Sequence, residues 1–137
     1  MDQRERLEAL LVDHEGERLR PYRCTQGFLT IGVGRNLDTK GISQEESRFM
    51  LANDIRDAER DARTFFPEFG YLTANRQIVL IDMAFNLGLG GLVKFRNFRY
   101  ALEKRDYTTA AAEMLNSRWS GQVGRRAETL ARMMRDG

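Results

Sequence analysis

The first residue of the chain that points to chemistry is Glu15, a carboxylate that continues an apolar stripe. It follows Leu11 by four positions and Leu7 by eight, so a helix over residues 3–14 places all three on one face. A carboxyl group held against apolar neighbours loses hydration, which disfavours its charged form. A Glu that stays protonated near neutral pH can act as a general acid. Spacing alone does not separate this role from that of a solvated carboxylate at a helix end.

In the segment over residues 28–34, small residues alternate with larger apolar ones. Thr30, Gly32 and Gly34 fall on one face if residues 28–34 form a strand. A strand face with one small hydroxyl and two glycines lets a ligand approach the backbone closely, and the Thr30 hydroxyl can hold a water molecule. The alternative is that the glycines only permit a twist or a bulge.

The one cysteine, Cys24, lies between these two features. A free thiol has a pKa of about 8.5, so a few per cent of it is thiolate at neutral pH. Arg20 and Arg23 favour the thiolate modestly. Cys24 is therefore a candidate base or nucleophile, or a group that only helps to place water.

The elements that must position these residues can be read from the apolar periodicity. Residues 3–14 predict an amphipathic helix that Gly16 ends. Residues 19–34 change to strand spacing and predict a single hairpin, with Gly27 in its turn. Ser43 and Glu46 form a capping box that opens a long helix to about Phe65.

Beyond Pro67 the pattern is helical throughout. Thr73 opens a segment that is apolar nearly all round, which predicts a central buried helix stopped by the glycines from Gly88 onwards. Shorter helices are expected over residues 95–104, 106–116 and 124–135. The predicted fold class is α+β, mostly α, with a small β excursion near the N-terminus.

Composition narrows the functional class. A chain of 137 residues with 42% apolar side chains fits one globular domain. One Cys and one His exclude an internal disulfide and a Cys/His zinc site, and neither a metal nor an organic cofactor is expected. The charged N-terminus does not resemble a signal peptide, and no stretch predicts stable membrane insertion.

The charge is unevenly placed, with a net of −3 over residues 1–93 and +5 over residues 94–137. A basic C-terminal third can attract an anionic polymer, or it can be a solvated helical surface. The arginines are spread along the chain without a nucleic-acid-binding signature, so no nucleic-acid partner is expected.

The segment from Glu15 to Gly34 closely resembles the active-site segment of phage-type lysozymes, glycoside hydrolase family 24. In that family a Glu is followed after eight residues by Asp or Cys, and after five more by Thr; Glu15, Cys24 and Thr30 fit both spacings. The resemblance continues at residues 81–88 and at Ser117-Arg118-Trp119, and the match covers nearly the whole chain.

This resemblance implies a lysozyme-like two-lobed fold in a single domain. The small lobe is expected at about residues 15–50, and the helical lobe at residues 1–14 plus 51–137. Because eight residues separate Gly34 from Ser43, the small β-hairpin lobe is expected to be reduced. The implied catalytic residues are Glu15, Cys24 and Thr30. The implied substrate-binding residues are Gly32, Phe85, Asn86 and Arg126, of which Arg126 matches an Arg that approaches the catalytic Glu. Trp119 is interpreted as a core aromatic.

The implied activity is that of an endo-acting muramidase. It hydrolyses the β-1,4 bond between N-acetylmuramic acid and N-acetylglucosamine in bacterial peptidoglycan during host lysis. Such a chain is expected to be a monomer in the host cytoplasm. It acts on the periplasmic wall only after a separate holin-type protein permeabilises the membrane. Two alternatives stay open, a lytic transglycosylase, which leaves an anhydro sugar, and a non-catalytic peptidoglycan-binding module.

Overall fold

The computed structural model describes residues 1–137, which begin with a capped helix. Helix α1 (Gln3–Glu15) starts at Asp2, whose side chain accepts a hydrogen bond from the Glu5 N–H at 2.8 Å, while the Glu5 carboxylate accepts from the Asp2 N–H at 3.2 Å. Gly16, with φ +76°, ends the helix. The prediction of a helix stopped at Gly16 is confirmed.

A three-stranded antiparallel sheet follows, with β1 (Arg18–Arg23), β2 (Leu29–Gly32) and β3 (Arg35–Asn36) in that order. The predicted hairpin joins β1 and β2. Its turn is closed by a 2.8 Å hydrogen bond from the Gly27 N–H to the Cys24 carbonyl, and Gly27 has φ +86°.

The expectation of only one hairpin is wrong, because the chain turns again after β2 and adds β3. Gly32 and Gly34 have φ of +66° and +67°, a backbone conformation that L side chains rarely adopt. These glycines are needed for the turn, so Gly34 does not continue the strand face that carries Thr30.

The sheet is joined to the next helix by a hydrogen-bonded network of Arg35, Glu46 and the Gly41 carbonyl, here called the buttress. Helix α2 (Gln44–Phe65) begins with the predicted capping box, in which Ser43 Oγ accepts from the Glu46 N–H at 3.0 Å. Arg35 donates to both carboxylate oxygens of Glu46, at 2.9 and 2.7 Å, and to the Gly41 carbonyl at 3.1 Å. This network fixes β3 to the start of α2.

The chain divides into two compact units, Met1–Phe49 and Met50–Gly137. The first contains α1, the sheet and the first turns of α2; the second contains the rest of α2 and all later elements. The boundaries of the small and helical lobes stay a prediction.

The second unit is entirely helical. A short 3-10 helix (Pro67–Tyr71) leads to α3 (Ala74–Leu92), which is interrupted at Gly88, with φ +69°. The break at Gly88 is confirmed, although a further helical turn extends to Leu92. The three shorter helices are confirmed as α4 (Arg96–Glu103), α5 (Tyr107–Leu115) and α7 (Arg125–Asp136), while α6 (Arg118–Val123) and the 3-10 helix were not predicted.

Apolar side chains from the helices of the second unit form its core. The largest of those that are fully buried are Phe69, Phe98, Leu80, Met83, Leu92, Leu102, Met114 and Met134. The prediction that α3 is buried nearly all round is wrong for two side chains. Ile78 is 51% exposed and Phe85 is 46% exposed, because the helix packs into the core mainly through Val79, Leu80, Met83 and Ala84.

Taken singly, none of the helices has both the length and the apolar composition needed to cross a membrane. Only α3 and α4 considered as one pair, bent by 114°, meet that test. The predicted class, mostly helical with a small sheet, is confirmed.

Candidate active site

Glu15 is the last residue of α1, and its carboxylate lies directly against the backbone of Gly34. A methyl group built on Gly34 meets Glu15 Oε2 at 3.0 Å and Cδ at 3.3 Å, closer than ordinary van der Waals contact. Any larger residue at this position therefore requires the carboxylate to move by a few tenths of an ångström. The contact was not predicted, because the alternation of residues 28–34 suggested a continuous strand.

The expected desolvation of Glu15 is not observed, since its side chain is exposed. Leu7 and Leu11, the apolar residues of its predicted stripe, are themselves 53% and 43% exposed. The reason is local: Glu15 occupies the last position of the helix, beside Gly16, and no residue of α1 is buried.

Cys24 lies at the start of the hairpin turn with its thiol partly buried. Its own N–H donates to the Phe28 carbonyl at 2.9 Å, which closes the loop across its base. The pKa of the Cys24 thiol is lowered, mainly by a hydrogen bond from the Gln26 backbone N–H. Partial desolvation acts in the opposite direction. Further donors, including the Phe28 N–H and the Thr30 hydroxyl, add to the lowering. The turn itself therefore favours the thiolate, whereas the sequence predicted this effect from Arg20 and Arg23.

Thr30 is the central polar residue of the sheet and is 3% exposed. It pairs with Tyr22 on β1 and with Asn36 on β3, so its position is fixed from both sides. Its hydroxyl donates to the Phe28 carbonyl at 2.9 Å, and the Cys24 sulfur is a second acceptor for the same proton. A hydroxyl has one proton, so the two acceptors compete for it, and a thiolate competes better than a thiol.

Gly32 is required for its backbone conformation and not for close packing. A methyl group built there meets no atom within 4 Å, whereas its φ of +66° disfavours any other residue. This supports the alternative in which the glycine permits the turn. Its substrate-binding role stays a prediction.

The remaining predicted residues lie in the second unit. Asn86 Oδ1 accepts a 3.0 Å hydrogen bond from Trp119 Nε1, which leaves the Asn86 amide NH₂ free to donate. Trp119 is 3% exposed and packs edge-on against Phe95, in agreement with its interpretation as a core aromatic. The half-exposed Phe85 lines a groove of about 300 Å³ with Gly88 and three aspartates of α2, Asp54, Asp57 and Asp61.

Arg126 forms an ion pair that was not predicted. Its Nε donates to Asp82 Oδ1 at 2.8 Å, and its Nη2 also faces the Asp82 side chain and carbonyl. The side chains are 38% and 33% exposed, so the pair is accessible to solvent. The sequence feature that could have indicated this ion pair is Asp82, which interrupts the otherwise apolar run of residues 78–85. The approach of Arg126 to Glu15 stays a prediction.

A cavity of about 560 Å³ in the second unit was not predicted either. Its lining combines buried aromatic side chains with charged groups from α4, α5 and their neighbours, namely Lys94, Arg96, Glu113 and Arg118. Of the predicted site residues, Glu15, Cys24, Thr30 and Gly32 thus lie in the first unit, and Phe85, Asn86 and Arg126 lie in the second.

Sequence comparisons relate the chain to known proteins. The phage lysozyme family model matches residues 12–135. The chain is 26% identical to a probable T4-type lysozyme 2 of Dictyostelium discoideum, over 96% of this chain and 94% of that protein. It is 30% identical to an endolysin of Acyrthosiphon pisum secondary endosymbiont phage 1, over 81% and 75% of the two chains. It is also 28% identical to peptidoglycan hydrolase gp36 of Pseudomonas phage phiKMV, over 90% of this chain and 14% of that protein.

Proposed function

Since the chain belongs to the phage lysozyme family and is therefore a hydrolase that acts on peptidoglycan, we propose that it is an endo-acting muramidase. The bond cleaved is the β-1,4 linkage between N-acetylmuramic acid and N-acetylglucosamine. The observation that carries this proposal is the joint placement of Glu15, Cys24 and Thr30 on one small unit, with the carboxylate against Gly34 and the thiol next to the Thr30 hydroxyl.

Hydrolysis of a glycosidic bond needs a proton for the leaving oxygen and a nucleophile or an activated water at the sugar carbon. We assign the proton donation to Glu15, whose carboxyl is accessible to an incoming polymer and lies against the backbone of Gly34. Cys24 supplies the second function as a thiolate, which the backbone donor of Gln26 favours. When the Thr30 hydroxyl donates its proton to the Phe28 carbonyl, its free lone pairs can accept from the attacking water. When it donates to Cys24 Sγ instead, it orients the thiolate.

Three residues of the second unit are proposed, each by its own surroundings, to contact the substrate. The exposed ring of Phe85 offers an apolar face to a sugar, and the Asn86 amide offers a donor. Arg126, held by Asp82, offers its remaining N–H groups to the substrate. Gly32 contributes its backbone.

The proposed biological role is lysis of a bacterial host. In this role the enzyme is a monomer that collects in the host cytoplasm, and a separate holin-type protein gives it access to the wall.

The test is a turbidity assay on permeabilised Gram-negative cells with Glu15→Gln and a matched control, Glu17→Gln, which removes an exposed carboxylate two residues away. The wild type and Glu17→Gln should clear the suspension, and Glu15→Gln should not. Equal clearing by Glu15→Gln contradicts the assignment of the acid, and no clearing by the wild type favours a non-catalytic wall-binding module. Mass spectrometry of the released muropeptides separates hydrolysis from transglycosylation, because only the latter gives anhydro ends.

A further inference from the structure

Strand β1 is the outer strand of the sheet, and it is strongly cationic. Arg18, Arg20 and Arg23, here called the β1 arginines, occupy three of its six positions, and the strand contains no acidic residue. All three are exposed, and the nearest carboxylate in sequence is Glu17. This is a dense positive charge in a unit that also holds Glu15, Cys24 and Thr30.

The β1 arginines are oriented but not neutralised. None of the protein's ion pairs includes them. Arg18 lies over the ring of Tyr22, 4.3 Å from its centre, and Arg23 Nη1 donates to the Gly27 carbonyl at 3.0 Å. A guanidinium has five N–H donors, so each side chain keeps donors free for an external anion.

The same strand is poorly suited to bind another strand. Pro21 has no N–H to offer at the open edge, and the pairing register shifts between Arg18 and Tyr22. Charged side chains and a proline are typical protection of a sheet edge against strand addition. A membrane surface is also a poor fit, since Leu19, 83% exposed, is the one aliphatic side chain that the strand projects into solvent. The partner that remains is a hydrophilic anion.

The position of the strand indicates which anion. β1 begins three residues after Glu15 and ends next to Cys24, and its Tyr22 pairs directly with Thr30. A polymer whose backbone is held at these residues carries its side groups past β1. In peptidoglycan those side groups are the stem peptides, which bear free carboxylates, and arginine binds carboxylates in a bidentate manner. We propose that the β1 arginines bind the stem-peptide carboxylates of the wall polymer, an inference that rests on the proposed function.

The experiment measures binding without catalysis. All proteins carry Glu15→Gln so that the wall is not digested, and they are co-sedimented with purified sacculi. The sacculi are either native or treated with a carbodiimide and an amine, which converts their carboxylates to neutral amides. The test variant is the triple substitution Arg18→Gln, Arg20→Gln, Arg23→Gln. The matched control is Arg6→Gln, Lys40→Gln, Arg48→Gln, which removes the same charge from exposed, unpaired positions of the same unit.

An exposed ion pair changes an equilibrium by about two- to fivefold, so the test variant should bind native sacculi about tenfold or more weakly. The control variant should bind them like the parent. On amidated sacculi the parent and the test variant should bind equally. Arg20→Gln alone removes a side chain without an intramolecular partner and should weaken binding to native sacculi about threefold. If circular dichroism shows that the triple variant is unfolded, this single variant replaces it as the test of the proposal.

Three results overturn the proposal. The first is that the test variant binds native sacculi as tightly as the control variant does. The second is that the triple substitution weakens binding to amidated sacculi as much as it weakens binding to native sacculi. The third is that the test variant loses affinity for vesicles containing phosphatidylglycerol while its sacculus binding is unchanged, which assigns the strand to a membrane surface. Failure of the proposed muramidase activity is detected separately, in the turbidity assay, because none of these binding measurements depends on cleavage.

Discussion

The contact between Glu15 and Gly34 makes the substitution Gly34→Ala a direct test of how the carboxyl of the proposed acid is positioned. Two effects are expected. The backbone at Gly34 has φ +67°, so any side chain there is strained by about 1–2 kcal/mol. In addition, the new methyl group meets Glu15 Oε2 at 3.0 Å, so the carboxylate must retreat by about 0.4 Å to reach the 3.4 Å of an ordinary contact.

The two effects can be separated with Gly41→Ala, which keeps the backbone carbonyl that accepts from Arg35. Gly41 belongs to the same unit and has φ +63°, but a methyl group there meets only the Leu37 carbonyl, at 3.9 Å. Both variants should lose a similar free energy of unfolding, about 1–2 kcal/mol, measured by urea denaturation. A misplacement of 1 Å costs about a hundredfold in rate, so a displacement of about 0.4 Å corresponds to a roughly sixfold lower kcat for Gly34→Ala alone.

The assay is initial-rate clearing of permeabilised cells at a temperature where both variants are folded. The reasoning is refuted if Gly34→Ala keeps the kcat of the wild type, since the contact with Glu15 is then irrelevant to catalysis. It is equally refuted if both variants lose kcat to the same extent, since backbone strain anywhere in the unit then explains the loss.

Three further predictions follow from single contacts. Because the turn holds the pKa of the Cys24 thiol below its usual value, the activity of the wild type should fall as the pH drops through that pKa. Cys24→Asp, with an ordinary pKa of about 4, should extend activity to lower pH, and full activity of Cys24→Ala would exclude a catalytic role. The Arg35 ion pair lowers the pKa of Glu46 to about 2 from 4.5, so its stabilisation is fully present above pH 4.5 and is lost as the pH falls towards 2. The melting temperature of Glu46→Gln should therefore lie below that of the wild type at pH 7 and converge with it near pH 2. A double-mutant cycle of Asp82→Ala and Arg126→Ala should give a coupling of about 1 kcal/mol, the upper range for a solvent-accessible pair, and a value near zero would show that the pair does not hold Arg126.

Much of the fold could be predicted because its signals are local. The capping box at Ser43, the stop at Gly16 and the turn at Gly27 depend on residues within four positions of one another, and all three are confirmed. The third strand was missed because it is two residues long and follows alternating glycines, which have the period of a strand but the backbone of a turn. Helix α6 was missed because six residues give no periodic pattern.

The sequence proposes residues for the site but not their contacts. The spacing of Glu15, Cys24 and Thr30 makes them the proposed reacting groups, yet the surroundings of each depend on tertiary geometry. Gly34 reaches Glu15 across 19 positions of sequence, and Asp82 reaches Arg126 across 44. Neither partner is recoverable from hydrophobic periodicity, because both contacts join polar or backbone atoms whose direction is set by how the elements pack.

The buttress at β3 bears on how the pH dependence of the enzyme should be interpreted. Arg35 is the residue after Gly34, so its bonds to Glu46 and Gly41 fix the segment that positions Glu15. With a pKa of about 2, Glu46 remains charged throughout the range in which bacteria grow, and the buttress is constant over that range. A loss of activity between neutral and mildly acidic pH therefore cannot come from this buttress. Under the proposed mechanism the group to examine in the first unit is Cys24, because the hairpin turn favours its thiolate and protonation removes that form.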